Sequence, residues 1–171
     1  MLGYQVWRHE LGKTNKKDVL VYEEKDNQFY MGLYRCKSKK YIMNVSDHNG
    51  VASEFRILKA DDPKGIFKVF LARKDGHEYG IDHYQNKFYV RTNMGGATNF
   101  KLMEAAENET NNPLEWKEVI PHRKDVYLEG LEVFKNHLVL QERKDALLHL
   151  RIINQTTFKE HYINFGESVY D

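Results

Sequence analysis

The sequence predicts an all-β chain built as part of a β-propeller, and three observations carry that reading. The first is a threefold repeat. Strand-like runs begin at Tyr41, Phe88 and Leu138, spaced by 47 and 50 residues, and each is followed by a run with an apolar-basic-apolar step, Phe55-Arg56-Ile57, Phe100-Lys101-Leu102 and Leu150-Arg151-Ile152. A closing run completes each unit, near Phe67, Trp116 and, more loosely, Lys159. A period of that size with several strands per unit is the signature of propeller blades. The second is period-2 alternation, as in Tyr41, Met43 and Val45 against Ile42, Asn44 and Ser46. The third is turn chemistry between the runs, including Asp47-His-Asn-Gly50, Asp61-Asp-Pro-Lys-Gly65, Lys74-Asp-Gly76 and Asn93-Met-Gly-Gly96.

Taken in order, the runs predict strands over 4–11 and 19–24, then 29–36, 40–46, 52–59 and 67–73. Next come 79–84, 87–93, 99–106 and 116–120, and last 127–134, 137–143, 147–153 and 159–165. They group as the two outer strands of an incomplete blade (4–24) and blades over 28–76, 77–126 and 127–165. Residues 102–108 include Met103, Glu104, Ala105 and Ala106 and could form a helical turn, but their place in the repeat assigns a strand. With 11 Tyr and 9 Phe the apolar content suits pleated surfaces, and the 3 prolines interrupt no expected strand. A blade cannot bury both faces alone, so three blades and a remnant read as part of a larger propeller.

Composition narrows the function class. At 171 residues the chain can build a substantial core. Its 26 Lys+Arg stand against 25 Asp+Glu, interspersed rather than clustered, which argues against a nucleic-acid footprint. No apolar run approaches the roughly 18 residues that read as a membrane span. The opening Met1-Leu-Gly-Tyr-Gln-Val-Trp-Arg-His9 has no secretory h-region. The single Cys36 forms no internal disulfide and fits a reducing compartment. The expectation is a soluble, cytoplasmic chain, in which the sequons at Asn44, Asn108 and Asn154 are coincidental.

No catalytic or metal-binding motif emerges. None of the eight histidines pairs at the i, i+4 spacing of a zinc helix, and Cys36 has no Cys-x-x-Cys partner, so neither metal nor cofactor is expected. Cys36 reads as a small buried residue and His122, in Pro-His-Arg, as a blade-connection anchor. Gly95-Gly96 precedes a strand rather than a helix, which makes it a hairpin turn and not a phosphate cradle. Trp7 and Trp116 read as packing between blades rather than as a stacking platform. On or beside the expected inner strands lie Glu78, Asp82, His83, Glu129 and Glu132, either a solvated channel wall or a lining that meets a ligand or partner.

The stretch from Ile120-Pro-His-Arg-Lys-Asp-Val-Tyr-Leu-Glu-Gly130 through Leu138-Val-Leu-Gln-Glu-Arg-Lys144 resembles the propeller of the oligopeptidase B group in the prolyl oligopeptidase family. Asp18-Val-Leu-Val-Tyr-Glu-Glu-Lys25, Thr92-Asn-Met-Gly-Gly-Ala-Thr-Asn-Phe-Lys-Leu102, Val6-Trp-Arg-His-Glu-Leu-Gly12, Ser53-Glu54 and Ala60-Asp-Asp-Pro63 agree with it, in order along the chain. One departure is Ala146, where the resemblance leads one to expect a glycine in the turn.

The resemblance implies a seven-bladed propeller capping an α/β-hydrolase domain that carries a Ser-Asp-His triad. It also implies cleavage of short peptides after Lys or Arg. No Gly-x-Ser-x-Gly elbow occurs here, so no catalytic residue is assigned, and the expected partners are the missing catalytic domain and basic peptides. Glu129 and Arg143, on the two inner strands of the last blade, are the candidates for lining the tunnel or touching that domain. The alternatives are a free-standing propeller scaffold binding a partner protein or glycan, and an enzyme with its site in the channel. Blade flanks bared to water lead one to expect self-association of the isolated chain.

Overall fold

The computed structural model describes residues 4–167. Fourteen strands form four antiparallel sheets, and no α-helix is present among the described residues. Strands β1 (Gln5–Arg8) and β2 (Val19–Glu23) pair as a two-stranded ribbon. The first complete blade holds β3 (Tyr30–Arg35), β4 (Tyr41–His48), β5 (Ala52–Lys59) and β6 (Lys68–Leu71). The second holds β7 (Tyr79–Tyr84), β8 (Lys87–Thr92), β9 (Lys101–Ala106) and β10 (Lys117–Ile120). The third holds β11 (Tyr127–Val133), β12 (His137–Lys144), β13 (Leu147–Asn154) and β14 (Glu160–Tyr162). Every sheet is a meander in chain order, the blade pattern of a partial propeller. The 101–106 segment is a strand paired with β8 and β10. No helix among the described residues is long and apolar enough to cross a membrane.

Turn chemistry sets the registers. Gly50, at φ 74°, closes the three-residue β4–β5 loop between the paired His48 and Ala52. The β12–β13 hairpin turns through Asp145 and Ala146, both left-handed at φ 50° and 67°, so Ala146 holds a conformation that favours glycine. Gly95 and Gly96 lie in a broader connection between β8 and β9, which also needs Phe100 at φ 61°.

The core consists of two seams between blades. In the first, Tyr41, Met43, Phe55 and Phe70 meet Tyr79, Ile81, Phe88 and Trp116. In the second, Tyr89, Leu102 and Ile120 meet Leu128, Leu138, Leu140 and Ile153. The rings in the first seam pack edge-on or tilted, with Phe70 centred 5.0 Å from Phe88 and 5.9 Å from Trp116. Each such ring contributes about 1.5–3 kcal/mol by leaving water. The packing reading therefore fits Trp116, but Trp7 is 54% exposed on the ribbon. The reason is positional: Trp7 belongs to the two-stranded ribbon, where no described blade covers it. Cys36 is buried, although it lies in the turn after β3 and not on a strand. Asn44 is fully buried and its amide donates to the Gly32 carbonyl, so that sequon is closed to modification in the fold.

The flanks are not purely apolar. Between the ribbon and the first blade, Arg73 bridges Glu24 and Glu54, at 2.6 and 3.1 Å. Beside it Arg56 pairs with Glu54 and stacks on Tyr22. On the third blade, buried Glu142 gathers Arg123, Arg151 and the Tyr162 hydroxyl. Burial alone would raise the Glu142 pKa, but the hydrogen bonds from Arg123 and Tyr162 outweigh it and hold the carboxyl below its usual range. Beside this cluster Tyr162 is 46% exposed, and Ile163 just after β14 is exposed as well. The expectation of plain apolar flanks is thus corrected to a mixed surface.

Candidate functional site

The first strands of the three blades, β3, β7 and β11, border one concave cavity of about 510 Å³, with β8 contributing Arg91. Each carries a glycine at a repeat-equivalent place: Gly32, Gly80 and Gly130, spaced by 48 and 50 residues. A Cβ at Gly130 would come within 2.9 Å of the Gln141 side chain, whereas one at Gly80 would meet open space. Gly80 and Gly130 both line the cavity. The first strands of the three blades thus share one face of the wedge.

Three of its six charged side chains, Lys37, Glu129 and Glu132, are in ion pairs. The register shift between Leu128 and Gly130 sets Glu129 out of the regular pairing. From there Glu129 meets Arg143 across β11 and β12, with Nε donating to Oε1 at 2.6 Å and Nη2 to Oε2 at 3.3 Å. Arg143 also donates from Nη1 to the Ala146 carbonyl at 2.9 Å. The two residues singled out in the sequence are therefore brought together as a forked ion pair, Glu129 on the cavity rim and Arg143 behind it.

A second link ties all three inner strands. Lys37 donates from Nζ to Glu132 of the third blade at 2.9 Å, and its backbone N–H donates to Asp82 of the second blade at 2.9 Å. Asp82 accepts a further N–H from His83. Burial raises the Asp82 pKa, partly countered by those two amides.

His83 departs from the expected wall. It is fully buried, turned between the first two blades while Asp82 borders the cavity, as the period-2 pleat requires. Its Nδ1 lies 2.6 Å from Ser38 Oγ and its Nε2 lies 2.8 Å from Glu107 Oε1. The order resembles a Ser-His-acid relay, but Ser38 Oγ also accepts the Lys40 N–H at 3.2 Å and touches Cys36 Sγ at 3.2 Å. The hydroxyl is committed inside a turn by these contacts. It is a pin between blades. Burial would raise the Cys36 pKa, but hydrogen bonding from His83, Ser38 and the Tyr41 amide brings it below the usual thiol value. His122 touches Thr98, with Nε2 to Oγ1 at 3.5 Å. Glu78 accepts the Gly50 N–H at 3.2 Å. No three His, Cys, Asp or Glu side chains converge to hold a metal among the described residues.

The sequence reading missed Lys37 and Arg91 as residues lining this cavity. The spacing of Gly32, Gly80 and Gly130 is the signal that locates them, because Arg91 is the register partner of Gly80 and Lys37 follows the β3 strand that holds Gly32.

Comparison with known proteins agrees with this architecture. Residues 2–170 match the family model described as prolyl oligopeptidase, N-terminal beta-propeller domain. Dipeptidyl aminopeptidase BI of Pseudoxanthomonas mexicana is 39% identical over 170 residues, which cover 99% of this chain and 23% of that protein. Protease 2 of Moraxella lacunata is 26% identical over 166 residues, again 23% of its length. Among solved structures, oligopeptidase B from Leishmania major superposes with a TM-score of 0.85 at 24% identity, over 96% of this chain and 24% of that one. Oligopeptidase B from Trypanosoma brucei, in a closed form with covalently bound antipain, superposes with a TM-score of 0.86 at 24% identity, over 98% and 24%. The chain spans about a quarter of the length of these relatives. The chain belongs to the prolyl oligopeptidase N-terminal β-propeller family.

Proposed function

We propose that this chain is the noncatalytic, substrate-gating part of a cytoplasmic oligopeptidase B-like serine peptidase that cleaves short peptides after Lys or Arg. The observation that carries the reading is the polar cavity built by β3, β7 and β11 in a chain of this family. A narrow polar channel admits an extended, hydrated peptide and excludes a folded protein. The nucleophile, base and acid lie in a hydrolase domain of the same polypeptide, and contacts between the two parts open and close the entry. The likeness to Protease 2 and to the oligopeptidase B structures supports the choice of group.

A second reading has its own support. The 39% identity to a dipeptidyl aminopeptidase favours release of dipeptides from free N-termini. The full-length protein, offered a peptide with an internal arginine in N-acylated and free-amine forms, separates the two. Cleavage of both forms after arginine supports the endopeptidase. Dipeptide release from the free amine alone supports the aminopeptidase. No hydrolysis of either contradicts both and favours a scaffold.

A further inference from the structure

Arg91 is a cation without an anion. Its Nη2 donates to the Tyr127 hydroxyl at 3.1 Å and its Nε to the Leu128 carbonyl. The guanidinium carbon lies 3.5 Å from the Phe100 ring centroid and 5.5 Å from that of Tyr127. These partners fix the fork, but none carries a negative charge. No carboxylate of the described residues lies within 4.0 Å of it, and Nη1 is uncommitted. Glu78 and Glu129 act on it only through space.

The surrounding charges do not offset it. Glu129 is taken by Arg143 and Glu132 by Lys37. Arg35 bonds a carbonyl, that of Lys39, rather than an acid. Setting the internal pairs aside, the cavity presents Arg35 and Arg91 against Asp82, whose carboxylate already accepts two amides. A half-buried, pre-oriented guanidinium beside a residual positive field is suited to forked recognition of a carboxylate. Gly80, its register partner, leaves open space beside it.

We propose that Arg91 is a carboxylate receptor on the channel wall and takes the free C-terminal carboxylate of a peptide that has entered the propeller. The proposal rests on the oligopeptidase reading and deepens it. Anchoring the peptide's end in the channel favours short, free-ended substrates over loops of intact proteins. The same chemistry could come from an aspartate or glutamate of the catalytic domain, and the experiment distinguishes these sources.

The test uses the full-length peptidase and one peptide sequence prepared with a free C-terminal acid and as the carboxamide. The unmodified enzyme is expected to favour the acid in kcat/KM by about tenfold, the scale of one charged hydrogen-bonded contact. Arg91→Gln removes that preference by slowing the acid substrate more than the carboxamide, while Arg91→Lys, which keeps the charge if the Leu128 contact proves essential for folding, retains part of it. Equal rates on acid and amide by the unmodified enzyme overturn the proposal and leave the oligopeptidase reading standing. Equal losses on both substrates in Arg91→Gln, with folding intact, assign the carboxylate to the catalytic domain and overturn it too. No hydrolysis of either peptide by the unmodified enzyme overturns the oligopeptidase reading and this one with it.

Discussion

Arg143 and Glu129 face each other across β11 and β12 as a forked ion pair at 2.6 and 3.3 Å, with Arg143 tied at the same time to the carbonyl of Ala146. The pair thus couples the channel rim to the next hairpin of the same blade. Both side chains are partly exposed, at 46% for Arg143 and 28% for Glu129, so the pair contributes at most about 1 kcal/mol to stability. Replacing either with alanine in the full-length peptidase should move the melting temperature by less than about 4 °C. Hydrolysis of an arginine-containing peptide should nevertheless fall several-fold. Unchanged kinetics together with unchanged stability would remove these residues from any functional role.

The Ala146 hairpin gives a prediction of opposite sign. Two successive residues at positive φ form the turn that favours Asp-Gly, and here the second is alanine. Ala146→Gly relieves the left-handed alanine, worth about 1–2 kcal/mol, against the extra freedom glycine adds to the unfolded chain, about 0.4–1 kcal/mol. The net expectation is a gain of about 1 kcal/mol, read as a rise in thermal midpoint. A fall in midpoint would show that the methyl group packs favourably.

Much of the architecture was legible in the sequence, because alternation and turn residues are local signals. Fourteen strands in a 2, 4, 4, 4 grouping follow from Tyr41, Phe88 and Leu138 and their companions. His83 was not legible in the same way. Its burial depends on the β3–β4 turn of another blade arriving at Ser38, a contact across 45 residues that no local pattern encodes. Trp7 shows the converse: an aromatic in a strand implies packing only if a neighbouring sheet is present. Arg91 escaped notice because an arginine on a second strand looks like a solvated face, until the Phe100 ring of its own blade and the Leu128 carbonyl of the next blade are seen as its partners.

Glu24 makes the junction between ribbon and first blade sensitive to acid. Burial raises its pKa, but hydrogen bonds from Ser46 and Arg73, the Asp26 amide and Tyr22 overcome that and lower it to about 2, from an ordinary 4.5. The folded-state pKa is depressed, so the stabilisation is complete above about pH 4.5 and disappears as the pH falls toward 2. Its size is on the order of 3 kcal/mol. Glu24→Gln should therefore lie well below the unmodified chain in melting temperature at neutral pH and converge with it near pH 2. A gap that does not change with pH would show that Glu24 does not govern this window.

The exposed flank of the third blade predicts association. Tyr162 and Ile163 are exposed on and just after β14, beside the Glu142–Arg123–Arg151 cluster, a surface suited to another blade. The 171-residue chain alone should sediment above its own 20.3 kDa at micromolar concentration. A monodisperse 20.3 kDa monomer would contradict this.

The central claim is that this propeller gates chemistry performed elsewhere in the same polypeptide. The most direct measurement is the nucleotide sequence of the reading frame beyond the codon for Asp171. The claim predicts further four-stranded repeats, then a Gly-x-Ser-x-Gly segment with an aspartate and a histidine after it. A frame that stops without them would contradict the claim and leave the propeller as a binding scaffold.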